Sequence, residues 1–278
     1  MRAKGLYGTA SQSPFFMKFK LATYNANSIR VRLPLVLDWL KREKPDVLCL
    51  QETKVQDQDF PEQPFQDAGY HVVFRGRKGG AGVATASREE PEEVSYGFPN
   101  EVPPDEDRLL RITLQGLIIV NTYVPQGQEV NSPVFQYKLE WLERLRHYFS
   151  SQFSPKKPLI WCGDFNVAPE EIDVYDPNHL ANNVDFHPEA REALERIRAW
   201  GFVDIFRKHH PKEPGQYTFW DYRLPKAFER NLGWRIDHIW VTPPVAEHSI
   251  SSWIDREARR AERPSDHTFL VAEFDLYY

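Results

Sequence analysis

A layered α/β domain, with sheets packed on each other and helices outside, is the architecture that these 278 residues predict. Three observations carry it. Strand-like and helix-periodic runs alternate along the chain. Some strand runs alternate apolar with polar residues, whereas others are continuously apolar, as sheets buried on both faces require. No Ser/Gly linker, low-complexity tract or short-period repeat interrupts them. With 41% hydrophobic residues the chain has material for a large core, and the pattern excludes collagen, coiled coil and extended disorder. No apolar run approaches the ~20 residues needed to cross a bilayer.

The strand runs, in order, are FKLATYN (19–25), DVLCLQE (46–52), YHVVFRG (70–76), AGVATAS (81–87), LIIVNTYV (117–124), LIWCGDF (159–165), RIDHIWV (235–241) and TFLVAEFDL (268–276). Between them, PLVLDWLKREK (34–44) reads as a helix, with Pro34 near its start and basic residues in the last turn before Pro45. FQYKLEWLERLRHYF (135–149) and PEAREALERIRAW (188–200) show helical spacing of apolar residues, and Gly201 is a stop signal. Residues 1–16 contain no acid and no apolar core of a secretory signal, so they are expected to be a disordered extension preceding one domain over 17–278. Their basic, Ser-containing character is compatible with organelle targeting. The two cysteines, Cys49 and Cys162, sit in apolar strand runs and fit a reducing, cytosolic compartment.

Charge is unevenly spread. The net value of −5 argues against a generic nucleic-acid binder. Yet 89–107 holds eight acids and no Lys or Arg, whereas 223–235 holds four basic residues against one acid. One basic stripe, with a metal ion adding local positive charge, lets an acidic protein bind a polyanion.

The strand ends are unusual. Asn25 and Asn27 close the first run, Gln51 and Glu52 the second, Tyr123 lies at the end of the fifth with Gln126 just beyond it, and Asp164 and Asn166 end the sixth. Asp237 lies inside the seventh, and Asp266 and His267 precede the last. Any one of them reads equally well as a turn or a cap. Six strand edges carrying acids, amides, a phenol or an imidazole exceed what turn chemistry needs.

Through LATYNANSIR, LCLQETK, NTYVPQG, WCGDFN, YTFWDYR, GWRIDHI and PSDH, the chain from about Met17 to its end resembles the exonuclease III family of abasic-site (AP) DNA repair nucleases. The family lies within the endonuclease/exonuclease/phosphatase superfamily. The GDFN and SDH elements are shared across that superfamily, whereas LQETK, YVPQG and the FWDYR…GWRID pair are specific to this branch. The resemblance implies a DNase I-like four-layered α/β sandwich of two packed mixed sheets flanked by helices. It also implies a monomer that cuts the phosphodiester 5′ to abasic sites, trims 3′ ends of duplex DNA and uses Mg²⁺, with Mn²⁺ as an alternative. Ser28 departs from the family, which usually has Gly there.

Phosphodiester cleavage explains the residue types. A diester is anionic and repels hydroxide, so hard oxygen ligands holding a divalent cation are needed. Glu52 is the first choice as ligand, with Asn25 and Asp266 nearby; the resemblance adds Asp164, Asn166 and His267. Asp164 can deprotonate water that Asn166 orients, and Asp237 fixes the tautomer of His267. Asp164 and His267 are the two candidates for the base. Tyr123 can donate toward the phosphate. The resemblance places Phe219, Trp220 and Trp234 around an extruded sugar lacking its base, and Arg108, Gln126, Lys138 and Arg223 on the DNA backbone. The competing readings are a small-molecule phosphoesterase of the same superfamily and a DNA-binding relative without catalysis.

Overall fold

The structure is a computed structural model and describes residues 16–277. The first half runs β1 (Phe16–Asn25), α1 (Ile29–Glu43), β2 (Val47–Gln51), α2 (Glu62–Asp67), β3 (His71–Arg75), β4 (Val83–Ser87), β5 (Glu93–Tyr96), β6 (Leu109–Leu114) and β7 (Leu117–Tyr123). The second runs α3 (Pro133–Gln152), β8 (Leu159–Asp164), α4 (Pro177–Leu180), α5 (Pro188–Arg198), β9 (Val203–Asp204), α6 (Ile205–His209), β10 (Asp237–Val241), α7 (Pro243–Ala246), β11 (Ser249–Asp255) and β12 (Phe269–Tyr277).

Two six-stranded mixed sheets form, ordered β11-β12-β1-β2-β4-β3 and β5-β6-β7-β8-β10-β9. Leu21, Val47 and Cys49 of the first sheet and Ile160, Cys162 and Ile239 of the second share one core between the sheets. The outer faces bury Val36, Trp39 and Leu40 of α1 on one side and Trp141, Leu142 and Leu145 of α3 on the other. The result is the expected α/β sandwich, helix–sheet–sheet–helix. Both cysteines are free and buried. No helix among the described residues is long and apolar enough to cross a membrane.

The topology gathers the polar strand ends. β1 and β2 are parallel, as are β7 and β8, so Asn25, Gln51, Tyr123 and Asp164 end at one edge. β10 and β12 run antiparallel to β8 and β1, so they start there, with Asp237 directly opposite Asp164. One edge of the sandwich therefore receives the last residues of four strands and the first of two.

Three sequence expectations need correction. α1 starts at Ile29, leaving Pro34 inside the helix. Pro34 lacks the N–H that would bond the carbonyl four residues back, but the Ser28 and Ile29 amides donate to Glu52 and Thr53 oxygens (2.8 and 3.0 Å) and Ile29 is buried, which anchors the extra turns. Strands β5, β9 and β11 carry no strong apolar run and escape a pattern search, whereas β6 (LLRITL) is absent from the expected strands despite four buried aliphatic residues. Lys138, expected on a DNA backbone, is fully buried. Its Nζ donates to the Gln126, Asn166 and Val184 carbonyls (3.1, 2.6 and 2.9 Å) and to Asp185 Oδ1 (3.0 Å), tying together the loops around one end of the sandwich. The expected extension, apart from Phe16 at the start of β1, lies outside the described residues.

A second buried charge cluster sits behind β10. Arg235 donates to both Asp173 oxygens (2.7 and 3.0 Å) and pairs with Asp204 (2.8 Å). His238 lies between Arg235 Nη1 (3.0 Å) and the Val167 carbonyl (2.9 Å). A guanidinium can only donate, so Nδ1 accepts and Nε2 carries the proton. Burial, together with the Arg235 charge, lowers the His238 pKa to about 4.

Two outcomes follow. Lys138→Met removes the donor to three carbonyls and to Asp185 Oδ1 and costs about 3–5 kcal/mol in a urea titration; a loss below about 1 kcal/mol would refute the buried tie. For His238 the folded pKa lies below the unfolded one. The unfolded chain therefore protonates first, and stability present above pH ~6.5 is lost as pH falls toward the folded value. Between pH 7 and 5 this amounts to about 2 kcal/mol. That portion of the pH slope disappears in His238→Gln, and an unchanged slope would refute the assignment.

Candidate active site at the gathered strand ends

Asp164 occupies the centre. It ends β8, is 1% exposed and follows Gly163, whose φ is +135°. A Cβ at 163 would lie 2.0 Å from the Thr122 carbonyl oxygen, so the neighbouring strand demands glycine before the acid. Asp164 Oδ1 accepts from the Asn166 backbone N–H and Oδ2 from Asn25 Nδ2 (both 2.8 Å). Asn166 adopts φ +48°, which an Asn tolerates, and its Nδ2 donates to the Val124 carbonyl (2.8 Å).

The other sheet contributes Asn25 and Glu52. Asn25 Nδ2 bridges Asp164 and Glu52 Oε1 (2.9 Å), while its Oδ1 accepts from the Asn27 backbone N–H (2.9 Å). Glu52 Oε2 pairs with Lys54 Nζ (2.7 Å). From the start of β10, Asp237 Oδ2 lies 2.8 Å from His267 Nδ1, and His267 Nε2 points back to Asp164 Oδ2 at 3.8 Å. The loop carrying His267 is pinned by Ser265, whose hydroxyl donates to the Asn25 carbonyl (2.8 Å). One ligand atom each from Glu52, Asp164 and His267 falls within 4.8 Å of the others.

Electrostatics follow from this crowding. Burial raises the Asp164 carboxyl well above its usual range, reinforced by the Asp237 and Glu52 charges and opposed by His267. Burial alone would lower His267, but Asp237 and then Asp164 push its imidazolium up to about 10. Burial likewise works against an ionised Glu52, yet Lys54 and the Asn25 amide hold it below the ordinary value. The Tyr123 phenol, buried and facing Glu52 and Asp164, is pushed well above 10 and stays a neutral donor. Carboxylates outnumber the cations facing them, and two of the three converging groups offer hard oxygen. This donor set suits a divalent cation.

The cluster opens into a cavity of about 900 Å³. Glu52, Tyr123, Asn166, Asp266 and His267 line its inner end, and Phe219, Trp234 and Ile236 form an apolar wall. The Phe219 ring lies 4.9 Å from His267. Trp234 and Ile236 face the cavity while Arg235 between them points backward into Asp173, so the buried ion pair holds the wall upright.

Most expected residues therefore meet at one place, and Gln126 and Arg223 stand on the cavity rim. Gln126 donates to Asp185 (3.0 Å), and Arg223 is 89% exposed beside Asp221. Arg108 stacks on Tyr123 (4.9 Å) and donates to its carbonyl. One placement differs from expectation. Trp220 is fully buried with its indole N–H on Asn231 (3.2 Å), so it backs the wall instead of facing the cavity. Asn25 turns its Nδ2 toward the carboxylates and its Oδ1 toward the Asn27 backbone N–H. Sequence reasoning gives no role to Asn27, which donates to Asp266 (3.0 Å), and leaves out Lys54 and the rim residues Tyr175, Asn183 and Asp185. Lys54 stood in plain view within LQETK; the rim residues sit in a loop without pattern.

Known proteins share this fold. The Endonuclease/Exonuclease/phosphatase family matches residues 22–267. A structure of an AP endonuclease from Archaeoglobus fulgidus superposes with a TM-score of 0.91 at 55% identity, covering 93% of this chain and all of that one. A 3′ phosphatase from Neisseria bound to product DNA hairpin gives a TM-score of 0.88 at 36% identity, covering 93% of this chain and 100% of that one. Exodeoxyribonuclease III of Haemophilus influenzae is 33% identical over 266 residues, covering 92% of this chain and 99% of its own. This chain belongs to the endonuclease/exonuclease/phosphatase family, within its exonuclease III and AP endonuclease branch of DNA repair nucleases.

Proposed function

We propose that this chain, acting as a monomer through one domain over 17–278, is a Mg²⁺-dependent AP endonuclease of base excision repair. It hydrolyses the phosphodiester 5′ to an abasic site in duplex DNA and trims blocked 3′ ends by 3′–5′ exonuclease and 3′-phosphodiesterase or phosphatase action. The observation that carries the reading is the convergence of Glu52, Asp164 and His267 within 4.8 Å at the foot of a cavity walled by Phe219 and Trp234. A bare phosphodiester-cleaving centre needs only the first part. The apolar wall gives an extruded sugar without a base somewhere to go, and extrusion costs least where the base is already missing. The activities in the names of the Archaeoglobus and Neisseria relatives support the same substrate class.

Glu52 would hold the cation, with carboxylate oxygen from Asp164 or Asp266 and, as further donors, Asn166 and His267; Mn²⁺ suits the same oxygens. A cation held there would supply positive charge to offset what builds on the phosphate oxygens. Of the two candidates for the base, Asp164 is favoured. His267 is held cationic by Asp237 and so donates to a phosphate oxygen instead of taking a proton. Burial brings the Asp164 carboxyl toward the basicity that general-base work requires. Asn166 orients the attacking water, and the neutral Tyr123 phenol donates to the phosphate as charge develops. Gln126 and Arg223 on the rim are placed to meet the flanking DNA.

Asp164→Asn should lower incision of an abasic duplex by roughly 10²–10⁴-fold while leaving duplex affinity within a few-fold, read by gel assay and anisotropy. Near-normal turnover would remove Asp164 from this role. Chelation by EDTA should stop incision, with Mg²⁺ restoring it and Mg²⁺ binding detectable by calorimetry in the wild type and weakened in Glu52→Gln. Incision that continues in EDTA would overturn the metal assignment.

A further inference from the structure

A second concentration of positive charge lies behind the cavity wall and takes no part in the reaction. Along 219–223 the side chains alternate: Phe219, Asp221 and Arg223 line the cavity, whereas Trp220 and Tyr222 face arginines on the other side. The Arg256 and Arg259 guanidiniums lie over Trp220 at 5.1 and 5.9 Å. Together with Arg260 they also crowd the Phe228 ring at 5.1, 5.2 and 5.4 Å. Arg259 sits 5.6 Å from the Tyr222 ring, and Arg32 Nη2 donates to the Tyr222 hydroxyl (3.1 Å).

These charges are not neutralised from within. Arg260 pairs with Glu257 (3.3 Å), but among the described residues no carboxylate forms an ion pair with Arg256, Arg259 or Arg32. Arg256 donates to the Asn231 amide oxygen (2.8 Å), and the Nε groups of Arg259 and Arg32 are buried without a partner. Glu257, Glu229 and Asp266 stand farther off. Stacking on aromatic faces holds guanidiniums in place, but it leaves their mutual repulsion standing. A net −5 chain gathers cations this way only locally. The planar fork of arginine matches the oxygens of a phosphate.

We propose that Arg256 and Arg259, flanked by Arg32, form a binding site for a backbone phosphate of duplex DNA, separate from the phosphate that reacts. The assignment rests on the nuclease reading for the identity of the polyanion, and the alternation along 219–223 sets the two sites on opposite sides of one wall. Each phosphate contact releases counterions, so its loss flattens the salt dependence of affinity.

The test is anisotropy binding of an undamaged 20-bp duplex between 50 and 200 mM KCl. The Arg256→Gln/Arg259→Gln pair should bind more weakly at low salt, with its log–log slope shallower by about one to two. Arg256→Lys/Arg259→Lys, which keeps the charges, should hold the wild-type slope. A Gln pair with the wild-type slope overturns the site alone, whereas a wild type that binds no duplex overturns the nuclease reading and the site with it. Should the Gln pair not fold, the side-chain Hε signals of Arg256 and Arg259 in ¹⁵N-labelled wild type decide: movement on adding duplex supports the site, and signals that stay fixed overturn it.

Discussion

The contact between Asn25 and Asp164 is the one on which the site depends. It joins the last residue of a strand in one sheet to the last residue of a strand in the other, across the end of the shared core. Both residues are at most 1% exposed, so neither can be satisfied by bulk water. The amide of Asn25 spends its two hydrogens on two carboxylates, Glu52 and Asp164. Without such a neutral donor the acids would repel in a buried setting. The inter-sheet core of Leu21, Cys49, Ile160 and Cys162 fixes the distance over which this amide has to reach.

Around that contact, buried cations act as rivets. Lys138 gathers loops from three parts of the chain under Asn166, and Arg235 clamps Asp173 and Asp204 behind Trp234. Neither touches the cavity, and both position groups that do. A buried ion of this kind is tolerable because every acceptor around it is in place, and it is correspondingly unforgiving of deletion. Strain is stored in the same region. Ser28, Glu52 and Asn166 all have positive φ, at 91°, 47° and 48°. Ser28 holds a conformation that glycine adopts freely, which is what its departure from the family pattern means in physical terms.

Much of this was legible in the sequence, and the reasons are local. Apolar strand runs ending in Asn25, Glu52, Tyr123 and Asp164 announced both the sheets and the reactive edge, because alternation and strand ends are read directly from neighbouring residues. Edge strands such as β5 and β11 were not legible: half-exposed, they have no continuous apolar run to betray them. The resemblance puts Lys138 and Trp220 on the DNA side, and a Lys in a helix or a Trp in an aromatic run carries no mark of which way it faces. That depends on contacts with Val184, Asp185 and Asn231, far away or across a turn, which only the folded chain supplies. The orientation of the Asn25 amide is of the same kind.

The pairing of β1 with β12 has a practical corollary. Phe16 lies opposite Tyr277, whereas Thr23 lies opposite Leu270 close to His267, so the first and last described residues share the pole remote from the cavity. At about 3.3 Å per residue the ten residues of β1 span on the order of 30 Å. A label, resin or second protein joined at either of those residues would emerge well clear of the mouth through which a nucleic acid must enter.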